Sequence, residues 1–187
     1  MIHKYTGTLG GNGYDGAIYG ELTQGSMQKV LDIMVEKLGM DNQSRFIDVG
    51  SGLGKPNFHA AQNPQVRLSV GIELEEIRYQ MAMVNMKNIA LETENGLVDG
   101  SSNEDVKLLG GTNFMVGDID VASYTDPFTH IYMYDLGFPP PLQKSIAQKF
   151  NNSQHAVALV SYRPPRRVIE EYGYAVEFID SFCTSMH

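Results

Sequence analysis

The residues best suited to chemistry are Asp48-Val-Gly50-Ser-Gly52-Leu-Gly54 and two acids further along, Glu73 and Asp118. Glycines at alternate positions let backbone approach a ligand closely and adopt left-handed dihedrals that other residues avoid. Glu73 lies 25 residues after Asp48 at the end of an apolar run. A carboxylate there can accept hydrogen bonds from both hydroxyls of a ribose. Asp118, in Gly117-Asp118-Ile119, follows a further apolar run and is placed to accept from an adenine amino group. Each feature alone has a plainer reading, a tight turn for the glycines and a solvated strand end for either acid. Three acids at consecutive strand ends around one glycine loop point to an adenosine-containing ligand.

A nicotinamide dinucleotide is the obvious rival. Here the glycines read G-x-G-x-G, whereas pyrophosphate-binding turns read G-x-G-x-x-G, and a phosphate gains nothing from Asp48 at the entrance. A sulfonium cofactor with a free amino group and no phosphate suits that acidic entrance better.

These residues need elements to hold them. Met27, Val30, Leu31, Met34, Val35 and Leu38 fall on one helical face, with Ser26 as N-cap and Gly39 as stop. Strands are expected over 46–49, 66–73, 113–116, 130–134 and 156–161, and a sixth over 175–182. Helices are expected over 56–62, 76–90 (Ile77, Met81, Val84 and Asn88 inward), 142–150 and 167–172. Strands alternating with helices imply a doubly wound, mostly parallel α/β sheet with helices on both faces, and ligands in such sheets bind beyond the carboxyl ends of the strands. One domain is expected over residues 1–187. Within it, 1–22 form an N-terminal arm and cofactor loop, and 93–105 a surface insertion.

Composition narrows the rest. With 187 residues and 42% hydrophobic content the chain can bury a sizeable core. No apolar run is long enough for a membrane helix, and the start lacks a secretory pattern. The single Cys183 fits a reducing compartment, and five scattered histidines beside it make a metal site unexpected. A net charge of −8 argues against a broad nucleic-acid surface. Arg163, Arg166 and Arg167 form the one tight basic cluster, as solvated charge paired to Glu170 or Glu171, or as a grip on a phosphate-rich substrate. Pro164 and Pro165 are expected to hold these guanidiniums outward.

At this point the sequence resembles class I S-adenosylmethionine-dependent methyltransferases, of Rossmann-like fold. It is most similar to the disruptor-of-telomeric-silencing (Dot-one) family of non-SET histone lysine methyltransferases. Ile18-Tyr19-Gly20-Glu21 matches that family's Tyr-Gly-Glu cofactor-clasping loop. Phe46-Ile-Asp48-Val-Gly50-Ser-Gly52-Leu-Gly54 matches its glycine loop, Gly71-Ile-Glu73 its Gly-Val/Cys-Glu, and Gly117-Asp118-Ile119 its Gly-Asp-Phe. Val160-Ser161-Tyr162-Arg163-Pro164 is similar to its Val-Ser-Ser-Lys-Pro. The resemblance implies cofactor contacts at Tyr19, Glu21, Asp48, Gly50, Gly52, Glu73, Asp118 and Ile119, a histone or nucleosome as substrate, and a nuclear location, cytoplasmic if the substrate is another. Three departures stand out: Tyr134-Asp135 where the family has paired Asn, Lys55 where it has Gln, and no counterpart of its basic nucleosome-gripping segments beyond the arginine cluster.

Methyl transfer from a sulfonium is an in-line displacement, so positioning does most of the work. Tyr134, Asp135, Phe138 and Tyr162 are the candidate catalytic residues, all at the carboxyl ends of the fourth and fifth strands. The aromatics can line a water-poor channel for the acceptor amine, or serve as rim packing. Asp135 can orient the amine or receive its proton, or merely cap a turn. Amino-methyltransferases acting on adenine use the residue types of Asp135, Phe138, Pro139 and Pro140 in another order, which makes a nucleic-acid acceptor the second reading. A non-catalytic cofactor-binding scaffold is the third. The sequence leads to the expectation that residues beyond His187 complete the sheet with a seventh strand.

Overall fold

The computed structural model describes residues 22–94 and 111–185. Tyr19, Glu21 and most of the acidic insertion lie outside the described residues.

Five strands, β1 (Arg45–Val49), β2 (Leu68–Glu73), β3 (Thr112–Val116), β4 (His130–Met133) and β5 (Ala158–Val160), form one sheet in the order β3-β2-β1-β4-β5. Every pairing is parallel. The chain therefore steps outward from β1 to β3, then crosses back to place β4 on the other side of β1. That reversal opens a crevice between the ends of β1 and β4, where an open α/β sheet binds its ligand.

Helices α1 (Gln24–Leu38), α2 (Lys55–Gln62), α3 (Glu76–Glu94) and α4 (Pro140–Asn152) connect and cover the strands. Thr23, not the expected Ser26, caps α1, its hydroxyl accepting from Ser26 N at 3.2 Å. Gly39 ends the helix in a left-handed conformation (φ 70°). Of the face read from sequence, Met27, Val30, Leu31 and Met34 are each at most 4% exposed and Leu38 is half-buried, but Val35 is 39% exposed.

Side chains alternate across the sheet and so feed two cores. On one face Phe46 and Tyr132 pack with α1, Ala60 of α2 and Met40. On the other, Ile47, Val49, Ile72, Ile131 and Met133 pack against Ile146, Ala147 and Phe150 of α4, with Val168, Tyr172 and Tyr174. Each such fully buried aliphatic contributes about 1.5–3 kcal/mol relative to exposure. His130 is a core histidine, its Nε2 against Leu38 O at 3.1 Å. Among the described residues no helix is long and apolar enough to cross a membrane, and no three His, Cys, Asp or Glu could hold a metal.

Two elements differ from expectation. In α3, Ile77 and Val84 are 53% and 55% exposed, and the buried residue is Ala82. The inward face is partly polar because it must meet polar groups: Asn85 donates to Leu53 O at 3.2 Å, and Arg78 lies 4.0 Å from Glu73. An apolar count could not select that face. The expected sixth strand over 175–182 does not form. Its apolar residues come in adjacent pairs, Ala175-Val176 and Phe178-Ile179, and no ladder partner is present among the described residues. The segment instead ties to α1, through Lys37–Asp180 at 2.6 Å and Ser185 N to Ser26 Oγ at 2.8 Å.

Candidate functional site

The glycine loop leaves β1 with Gly50, Gly52 and Gly54 at φ 81°, 54° and 81°, a region that costs other residues strain. Gly50 N and Ser51 N both donate to Ile72 O, and Gly52 N donates to Glu73 Oε2 at 2.8 Å. Glu75 N donates to the other oxygen of Glu73 at 2.9 Å. Glu73 thus fastens the loop to the end of β2, while its further lone pairs remain open to hydroxyl donors.

Not every glycine serves a ligand. A Cβ at Gly54 or at Gly71 would come within 2.6 Å of the Phe114 ring, and one at Gly50 within 3.3 Å of Phe138. Phe114 packs edge-on to Phe58 beneath the loop, with centroids 5.3 Å apart. The turn reading therefore applies at Gly54, and Gly50 is likewise crowded by a ring of the chain itself.

Asp48 is 2% exposed, and its Oδ2 is buried with no hydrogen-bond partner; Ser51 Oγ is likewise buried and unpartnered. Burial first, and then the neighbouring Glu73, push the Asp48 carboxyl well above its ordinary range. Tyr132 stands opposite Asp48 in the β1–β4 register. Its hydroxyl meets Tyr162 OH at 3.1 Å, and burial pushes Tyr162 up to about 12. Asp118 sits two residues beyond β3, beside Glu73, because Gly117 N donates to Glu73 O at 2.9 Å. Its carboxylate accepts from Asp120 N at 2.8 Å, capping the turn Ile119–Val121, and it remains exposed. Ile119 is 8% exposed and faces the core below.

At the acceptor end the Tyr134 and Tyr162 rings meet edge-on at 4.8 Å, and Phe138 reaches the loop at Gly50. Asp135 is fully buried and receives three donors: Gln143 Nε2 at 2.9 Å, Ser161 Oγ at 2.6 Å and Tyr162 N at 2.8 Å. It links the ends of β4 and β5 to α4. Asp48, Glu73, Phe138, Tyr134 and Tyr162 thus converge on one crevice, with Asp118 beside Glu73.

The arginines do not stand free. Arg163 turns inward and donates to Leu136 O at 2.6 Å and Phe138 O at 3.3 Å, capping carbonyls the turn after β4 leaves open. The two prolines therefore do not hold it outward. Arg166 pairs with Glu170 at 2.9 Å and Arg167 with Glu171 at 2.8 Å, so the plainer reading describes both. Sequence reasoning missed Tyr132, Gln143 and Ser161. Tyr132 was legible in principle, since it shares a face with Tyr134 at strand period two.

A parallel sheet in the order 3-2-1-4-5, with a glycine loop after β1 and an acid ending β2, defines a domain of the class I methyltransferase fold. The family described as "Histone methylation protein DOT1" matches residues 12–181, and the chain belongs to it. No curated protein matches the chain. Among solved structures, a SAM-dependent methyltransferase from Geobacter sulfurreducens in complex with S-adenosyl-L-homocysteine is 14% identical at TM-score 0.48, over 73% of this chain and 45% of that one. The magnesium protoporphyrin IX methyltransferase of Synechocystis is 16% identical at 0.49, over 74% and 54%. An RNA methyltransferase from Salinibacter ruber is 20% identical at 0.48, over 74% and 82%. The chain spans about half the length of the first structures it matches (44–54%). Likenesses this distant say nothing of what the chain acts on.

Proposed function

We propose that this chain transfers the methyl group of S-adenosylmethionine to a lysine side chain of a protein, a histone in its nucleosome being the first candidate. The observation that carries the reading is the buried, unpartnered Asp48 Oδ2 beside a glycine loop, in a member of a histone methylation family. Buried polar atoms are rarely left unpaired in a finished structure, and an orphan acceptor in a ligand crevice fits a cationic donor. Asp48 would take the cofactor's ammonium with Ser51 close by, Glu73 the ribose hydroxyls and Asp118 the adenine amine, with Gly50 and Gly52 admitting the backbone. Tyr19 and Glu21 would clasp the methionine end, as the family resemblance implies.

When bound, the cofactor supplies an electrophilic methyl group on a positively charged sulfur. The chain's own residues prepare the acceptor. Tyr134, Tyr162 and Phe138 wall a water-poor approach, and desolvation there favours a neutral lysine amine, the form able to attack. Asp135 acts as a positioning residue: its three donors hold Tyr162 against Tyr134. A nuclear location follows if the substrate is histone, and a cytoplasmic one otherwise.

Radiolabelled methyl transfer to nucleosomes, free histones, other proteins, RNA and DNA tests the reading. Label is expected in nucleosomes or histones and absent with Asp48→Ala. Label confined to RNA or DNA would overturn the protein acceptor. A chain that binds S-adenosylhomocysteine yet labels nothing would be a scaffold.

A further inference from the structure

Lys149 is a cation placed where cations rarely sit. It lies in the last turn of α4, only 6% exposed. Its Nζ donates to Ser145 Oγ at 2.6 Å and reaches Asp120 Oδ1 at 3.3 Å, while Ser145 Oγ also donates to that same oxygen. Asp120 itself is half-exposed and has no part in the crevice. The two contacts keep its carboxyl below the usual range, with the Ser145 hydrogen bond the larger cause.

What this arrangement holds is the turn bearing Asp118. The Asp118 carboxylate accepts from Asp120 N, and Gly117 N is bonded to Glu73 O, so the turn is fastened to β2 at one end. Among the described residues its far end is held by Asp120 to α4, by the burial of Ile119 and by Ala122 against the same core. Helix α4 also reaches the acceptor wall, through Gln143 to Asp135. One rigid helix thus fixes both the wall and the Asp118 turn.

We propose that Lys149, with Ser145, is a positioning residue that aims Asp118 at the exocyclic amine of the cofactor's purine, and so sets the pocket's preference for adenine over a 6-oxo purine. The inference rests on the cofactor reading above. Released from α4, the turn keeps its local cap but loses its fixed distance to the crevice. A hydrogen bond to a carboxylate depends steeply on that distance.

The test compares calorimetric binding of S-adenosylhomocysteine and S-inosylhomocysteine, which carries oxygen in place of the amine. Wild type is expected to favour the adenosyl compound by about tenfold, the scale of one charge-assisted hydrogen bond. Lys149→Met and Asp120→Ala should both bind the two compounds with the preference falling towards parity, and Lys149→Arg should restore part of it. Asp120→Ala alters a half-exposed side chain and serves if Lys149→Met fails to fold. A merely structural role would weaken both ligands equally and leave the ratio unchanged, which would overturn the proposal. Equal binding of both compounds by wild type would also overturn it, because Asp118 would then not read the amine. Binding of neither would instead bring down the cofactor reading itself.

Discussion

Asp48 and Asp135 are both carboxylates buried near the carboxyl ends of neighbouring strands, 2% and 0% exposed, yet their surroundings are opposite. Asp135 has three donors within 2.9 Å. Asp48 keeps an oxygen with none and a second acid beside it. Burial alone therefore does not tell the two apart; the donors around each do. Asp135 is tied into the framework, and Asp48 keeps an acceptor that, on the proposed function, the cofactor's ammonium would meet.

The comparison can be broken most sharply at Asp135. Asp135→Ala removes the carboxylate from three donors, of which Gln143 Nε2 keeps only the residue 135 carbonyl, and should cost about 3 kcal/mol in urea unfolding. Affinity for S-adenosylhomocysteine should stay near that of wild type. A stable variant that has lost the cofactor would reverse the two roles.

Asp48→Asn should do the contrary. Cofactor binding should weaken by about 1–3 kcal/mol in calorimetry, as for a buried polar partner removed. Unfolding should show a further sign. The folded-state pKa of Asp48 is raised above its ordinary 3.8, so the folded protein holds a proton that the unfolded chain releases. Wild-type stability must then fall as pH rises from 3.8 through the folded value, and the Asn variant should lack that fall. Parallel pH profiles would mean that Asp48 is not the strained acid of the pair.

The smallest effect is expected at the arginines. Arg166 and Arg167 are exposed and paired one helical turn away, so replacing both with Ala should leave the urea unfolding midpoint close to that of wild type. The salt dependence of nucleosome binding should also hold. A shallower slope would show that these pairs open to grip phosphate.

The sequence made elements legible where local pattern and global fold agree. The run Phe46–Val49 before three glycines, and the helical face of Met27 to Met34, are dictated by neighbours in the chain. Elements whose meaning depends on distant partners were not legible. Residues 175–182 are apolar enough for a strand, but a strand needs a ladder partner, and composition cannot report one. In α3 the inward face carries Asn85 because Leu53 O waits there, a demand written 32 residues back in the chain. At the site, Asp48 and Glu73 were readable from spacing. The three donors on Asp135 come from α4 and the end of β5, and only the assembled sheet brings them together.

The hydrogen bonds between Ser185 and the start of α1 join positions 159 residues apart in sequence. The segment leading to it, beyond the core residue Tyr174, leaves Phe178 and Ile179 half in water. Such a closure has little burial to defend it, so it opens at far lower free energy than the sheet. Native-state amide protection should therefore divide the protein unequally: Thr23 and Ser185 exchange together through a local opening, while β1 and β4 wait for global unfolding.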